Sequence, residues 1–219
     1  MKMYSLLIFD LDGTLLDTLD DLTSSTNYAL QTYGLPARTK DEIRTFVGNG
    51  IRNLIERAVG KIDCPNGDAV LETFKSHYGT HCADQTRPYA GVLELLDRLK
   101  KDGKRLTLLS NKADFAVKIL AKEYFGDLFE DAVGENEQLG IRKKPAPDAL
   151  FALMKKYAVA PEHTVYIGDS EVDLETARNA GIDCVSVAWG FRSESLLREK
   201  GAIQVARTME ELYDILQRK

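Results

Sequence analysis

Asp10, Asp12, Asp17, Asp20 and Asp21 fall within twelve positions, directly after an apolar run. Like charges at short range repel, and every carboxylate that loses water costs free energy. Acids placed this way are either solvated or share their space with something positive. Three other stretches carry matching chemistry: Ser110-Asn111-Lys112, Lys143 and Lys144 in "RKKPAP", and Asp169 with Asp173. Asp10 and Asp169, with the backbone carbonyl of Asp12, would suit a divalent cation that keeps several waters, which favours Mg²⁺ over Ca²⁺ or Zn²⁺. Such a cation neutralises phosphate charge as a P–O bond breaks. A carboxylate can attack phosphorus to give an acyl phosphate, splitting one slow step into two easier ones. Lys144 offers a point charge, and Ser110 and Thr14 offer hydroxyl donors, to the non-bridging oxygens. Gly13 allows a tight turn that exposes N–H groups to phosphate.

These residues can act together only if the chain brings them to one place. Residues 4–9 form a continuous apolar run, the mark of a strand buried on both faces. Similar runs occupy 105–110, 163–169 and 183–189, with a weaker one at 129–133. Helical spacing fills 91–103, 112–126, 147–158, 170–181 and 208–219, with Ser-x-x-Asp at 170 and a Thr208/Glu211 capping box as start signals. Strand–helix alternation predicts a doubly wound, Rossmann-like parallel α/β core. In such a sheet ligands sit beyond the carboxyl ends of the strands, where all four stretches would converge. Residues 17–86 break the rhythm with helix after helix, including a Thr39/Glu42 capping box. They predict a helical domain inserted into a core made of 1–16 and 87–219.

"FDLDGTLLDT" resembles the first motif of the haloacid dehalogenase superfamily of phosphotransferases, and "LLSNK", "KKPAPDAL" and "YIGDSEVDLETARNAG" resemble its second, third and fourth, in order. The helical insert resembles the first type of cap found in that family. The resemblance implies Asp10 as nucleophile and Asp12 as general acid/base. It implies phosphate contacts from Ser110, Asn111, Lys144 and Thr14. Mg²⁺ would be held by Asp10, Asp12 and Asp169, with Asp173 steadying the metal's waters. Family dehalogenases lack the second aspartate of the first motif, so Asp12 points to phosphoryl transfer. Residues two apart on an extended chain share a face, which lets Asp12 sit beside the leaving oxygen while Asp10 faces phosphorus.

"VGNGIRNLIERA" at 47–58 and the fourth motif look most like phosphoglycolate phosphatases, with Gly48, Asn49, Gly50 and Arg52 as expected substrate contacts from the cap. The related β-phosphoglucomutases carry an acid just before the metal aspartate, where this chain has Gly168. A sugar phosphomutase, a pyrophosphatase of the same cap type and a non-catalytic binding module are the alternatives.

The rest of the sequence bounds this reading. The 219 residues carry a net charge of −5, which disfavours nucleic acid as a partner. Apolar residues make up 44%, enough for a sizeable core, and no run approaches the roughly 20 apolar residues of a membrane span. Cys64, Cys82 and Cys184 match no metal or redox spacing, as expected of reduced thiols in a cytoplasmic protein. The expected partner is a small phosphorylated metabolite; monomer and homodimer both stay open. Asp17, Asp20 and Asp21 are expected to favour a helix N-terminus. His77 and His81, four apart, have no third ligand nearby and are expected to be packed or solvated. Lys143 is expected in solvent, Lys112 is divided between surface and site, and "GNG" at 48–50 reads as a turn or a contact. Trp189-Gly190-Phe191 is expected to close a loop near the site.

Overall fold

The computed structural model describes residues 4–60, 67–136 and 140–217; Cys64 lies outside them. Six parallel strands form the central sheet in the order β5-β4-β1-β6-β7-β8. β1 (Leu6–Phe9) lies between β4 (Arg105–Ala113) and β6 (Thr164–Gly168), with Leu6 opposite both Arg105 and Thr164. β5 (Asp131–Glu135) closes one edge, and β7 (Asp183–Val187) and β8 (Gln204–Ala206) extend the other. All four residues of β1 are buried because the sheet is covered on both faces. Leu7 and Phe9 pack with α5 (Val92–Lys101), α6 (Asp114–Phe125) and α10 (Met209–Gln217). Leu6 and Ile8 pack with α7 (Asp148–Tyr157) and α8 (Glu171–Ala180).

The winding direction reverses at β1. From there the chain runs outward through β4 to β5, then returns to the opposite side at β6. A crevice opens where neighbouring connections diverge in this way, so the carboxyl ends of β1, β4 and β6 face common space.

After β1 the chain makes a tight turn, with Leu11 O accepting from Thr14, Leu15 and Leu16 N–H. Two short strands then pair antiparallel: β2 (Leu16–Asp17) on the way out and β3 (Arg87–Pro88) on the return. Between them lie α1 (Leu19–Thr32), α2 (Lys40–Phe46), α3 (Ile51–Val59) and α4 (Gly67–His81). α2 starts on the expected Thr39/Glu42 box. Asp20 and Asp21 stand in the first turn of α1, as expected, but Asp21 is buried and does more. Its carboxylate accepts from Gln85 and Thr86 N–H at 2.8–3.0 Å, tying the outgoing helix to the returning linker.

The short strands β2 and β3 were not anticipated, nor were β8 and α9 (Glu194–Glu199). All four are short, and β8 has only one neighbouring strand. At α10 the Thr208 hydroxyl accepts from Glu211 N–H, while the Glu211 carboxylate reaches Arg207 N–H. No helix among the described residues is long and apolar enough to cross a membrane.

Candidate active site

Asp10 follows β1 directly, and its backbone N–H donates to Ile167 O at 2.8 Å. Its side chain is buried, and Lys144 Nζ lies 3.0 Å from Oδ1, outside hydrogen-bond alignment. Lys144 also donates to Asp173 Oδ1 at 2.7 Å and to the Tyr166 hydroxyl at 2.9 Å. Burial works against the Lys144 charge, but Asp10 and Asp173 outweigh it and hold the ammonium's pKa well above normal. For Asp10 burial dominates: with Asp173 and Asp12 nearby it raises the carboxyl from an ordinary 3.8 to about 6, against the pull of Lys144.

Asp169 follows β6. Its Oδ2 accepts from Phe191 N–H at 2.6 Å, and the Thr14 hydroxyl stands 3.5 Å from Oδ1. The backbone crowds it closely: a Cβ at Gly13, where φ is +81°, would come within 2.3 Å of Oδ2. The Trp189-Gly190-Phe191 loop does close against the site. Trp189 donates to Thr14 O at 3.0 Å, and a Cβ on Gly190 would meet Gly13 O at 2.3 Å. Burial, then the charges of Asp173 and Asp10, push Asp169 well above the usual carboxylate range.

Oxygens of Asp10, Asp169 and Asp173 lie within 4.8 Å of one another, the one such acid, histidine and cysteine cluster among the described residues. Asp173 is committed internally. Its Oδ2 accepts from Ser170 N–H and hydroxyl as the capping box of α8, and its Oδ1 holds Lys144. Capping of α8, which the Ser-x-x-Asp signal predicts, and a hold on Lys144 are done by one carboxylate. Asp10 and Asp169 are the two of the three that could ligate a cation. Four carboxylates, of Asp10, Asp12, Asp169 and Asp173, face two ammoniums, of Lys112 and Lys144. The excess of two negative charges and the all-oxygen donor set fit a hard divalent cation.

Lys112 is buried and pairs with Asp12 Oδ1 at 2.8 Å, which removes the surface alternative. The Thr18 hydroxyl donates to the same oxygen at 2.7 Å, and the ring of Tyr78 on α4 lies 4.7 Å from the ammonium. Lys143 is not simply solvated: it pairs with Glu135 at 3.2 Å.

The helical insert covers these groups and leaves a cavity of about 40 Å³. Asp10, Asp12, Ser110, Asn111, Lys112, Lys144 and Asp169 line it from the sheet side; Leu22, Val47, Gly48, Gly50, Ile51 and Leu54 line it from the insert. The Asn111 amide, expected at phosphate, donates to Gly48 O and Lys144 O and accepts from Lys144 N–H, all at 2.8–2.9 Å. It clamps the insert and the lysine loop together. Of the four expected insert contacts, Gly48 and Gly50 reach the cavity. Asn49 turns its amide oxygen to Arg57, and Arg52 pairs with Asp68 and lines a separate outer cleft. His77 stacks between Tyr28 and His81, and His81 pairs with Asp84, as packed side chains do.

Three contributors escaped the sequence reading. Tyr166, inside an apolar strand, fixes Lys144. Thr18 steadies Asp12 from the start of the insert. Arg192 pairs with Glu171 at 3.0 Å and donates to Arg44 O and Val47 O at 2.8 Å, latching the core to the end of α2. A tyrosine within the strand motif was the only visible signal; the other two contacts depend on how the insert docks.

The family model for haloacid dehalogenase-like hydrolases matches residues 7–187. The chain belongs to that family. Among curated members, the phosphoglycolate phosphatase of Psychrobacter arcticus is 35% identical, over 96% of this chain and 95% of its own. That of Haemophilus influenzae is 32% identical, over 97% and 98%. A crystal structure of a candidate phosphoglycolate phosphatase from Lactobacillus delbrueckii subsp. bulgaricus is 37% identical, covers all of both chains and superposes with a TM-score of 0.92. This haloacid dehalogenase-like hydrolase is therefore an enzyme of the phosphatase kind, which sets aside the non-catalytic scaffold.

Proposed function

We propose that the chain hydrolyses a small phosphomonoester, 2-phosphoglycolate foremost, through a phosphoryl group carried on Asp10. The observation that carries this reading is the placement of Asp10 and Asp12 on one cavity, Asp10 beside Lys144 and Asp12 fixed by Lys112. Asp10 attacks phosphorus as the bond to the leaving oxygen breaks, and Asp12 gives that oxygen its proton. Asp12 then takes a proton from the water that opens the acyl phosphate, restoring both carboxyls. Lys144 and Ser110 bind the non-bridging oxygens, and Asn111 keeps Lys144 in place. A Mg²⁺ ion held by Asp10, Asp169 and the Asp12 carbonyl would neutralise phosphate charge.

The small cavity and its apolar roof favour a compact leaving group, and the names of the curated relatives favour glycolate. A mutase reading has a steric obstacle: a side chain at Gly168 would lie 2.3–2.5 Å from Asp173. A cytoplasmic setting, with free thiols at Cys82 and Cys184, and no nucleic-acid or membrane partner belong to the same proposal.

A panel of 2-phosphoglycolate, glucose 1-phosphate and pyrophosphate, assayed with Mg²⁺ and with EDTA, tests it. Free phosphate should appear fastest from 2-phosphoglycolate and only with the metal. Glucose 6-phosphate as a product, or pyrophosphate as the best substrate, would overturn the reading.

A further inference from the structure

Two ammoniums line the cavity, and the proposed chemistry gives only Lys144 a contact with substrate. Lys144 is committed to Asp10, Asp173 and Tyr166, and Arg192 to Glu171 and the end of α2. Lys112 lines the cavity with its side chain only 1% exposed. Its hydrogen bond to Asp12 uses one of three N–H donors, and the Tyr78 ring flanks it.

Position tells which part of a substrate it meets. On the proposed reading, on which this inference rests, Asp12 serves the leaving oxygen. A general acid must come within about 2.6–3.2 Å of the oxygen it protonates. An ammonium 2.8 Å from Asp12 is then on the leaving-group side, away from the phosphoryl oxygens gathered by Lys144. The wall that the insert contributes there is apolar, from Leu22, Val47, Ile51 and Leu54. An ammonium at the edge of an apolar wall, with two N–H donors beyond the one given to Asp12, favours a further anionic partner. In 2-phosphoglycolate the carboxylate is carried by the carbon that bears the ester oxygen, and so falls on that side.

We propose that Lys112 is the specificity residue of this enzyme: its ammonium receives a carboxylate carried by the leaving group and selects 2-phosphoglycolate over neutral esters of equal size.

The test compares kcat/KM for 2-phosphoglycolate with that for 2-hydroxyethyl phosphate, which puts CH₂OH in place of the carboxylate. Wild-type enzyme should prefer the acid strongly. In Lys112→Met the ratio of the two values should fall on the order of 100-fold. Any loss from a loosened Asp12 affects both substrates and cancels in the ratio. A ratio unchanged from wild type would mean that Lys112 only holds Asp12, and would overturn the proposal. Should the methionine variant fail to fold, Lys112→Gln keeps a hydrogen-bond donor to Asp12 but removes the charge; the ratio should again fall on the order of 100-fold, and an unchanged ratio overturns the proposal equally. Equal wild-type turnover of both esters would refute carboxylate selection and leave the phosphatase reading standing. Phosphate release from neither would refute both.

Discussion

Asp10→Asn should abolish turnover and yet raise the melting temperature of the metal-free protein at neutral pH. Burial, with Asp173 and Asp12 close by, lifts the Asp10 carboxyl from 3.8 to about 6, so the folded state holds this proton more tightly than the unfolded state. A carboxyl shifted upward costs nothing below its unfolded pKa. Stability is lost as pH rises from about 4 through about 6, and the cost is complete above that. A shift of roughly 2 units amounts to about 3 kcal/mol at pH 7.5. The amide keeps the shape and sheds the charge, so most of that cost should vanish. For a chain of this size 3 kcal/mol corresponds to about 6–12 °C in melting temperature. Thermal unfolding in EDTA at pH 4, 5, 6 and 7.5 is the assay. The gain should be near zero at pH 4 and grow to its full size by pH 7.5. Added Mg²⁺ should stabilise wild type more than the variant, because the variant has lost one carboxylate ligand. A variant no more stable than wild type at pH 7.5, or equally stabilised at pH 4, would refute the claim that this carboxylate is strained by burial among like charges.

Lys144→Ala removes the cation shared by Asp10 and Asp173, and leaving those acids buried should cost about 3–5 kcal/mol in urea unfolding at pH 7.5; a loss under about 1 kcal/mol would contradict the arrangement. Inhibition by inorganic phosphate should weaken in the same variant. Asp21→Ala orphans the N–H groups of Gln85 and Thr86 and should cost about 2–3 kcal/mol, with faster proteolysis near the β2–β3 linkers. Arg192→Ala frees the end of α2, so KM should rise severalfold and amide exchange at 44–50 should quicken; unchanged exchange there would show that the latch holds nothing.

What the sequence revealed and what it concealed divide along a physical line. Asp10 and Asp169 each follow an apolar run with the mark of an interior strand, so the parallel rule puts them at one rim before any coordinates are known. The helices α1 to α4 were legible for a similar reason: helical spacing replaces strand runs between Leu16 and Arg87. β8 and α9 have three and six residues, too few for a period to rise above chance. Side-chain direction at the junction was the harder loss. Lys112 faces Asp12 from the end of β4, and Arg52 faces Asp68 from the first turn of α3, and each direction depends on the register of its element. Nothing local fixes those registers. They are set by contacts between distant segments, Asn111 with Gly48 and Arg192 with Val47, and each closes only when the insert is seated on the sheet. The rim of the sheet is thus encoded in short stretches that read one at a time, whereas the seating of the insert over it is encoded in pairs. That is why Lys112, which belongs to the sheet but works against the roof, is the residue whose role the sequence alone leaves divided.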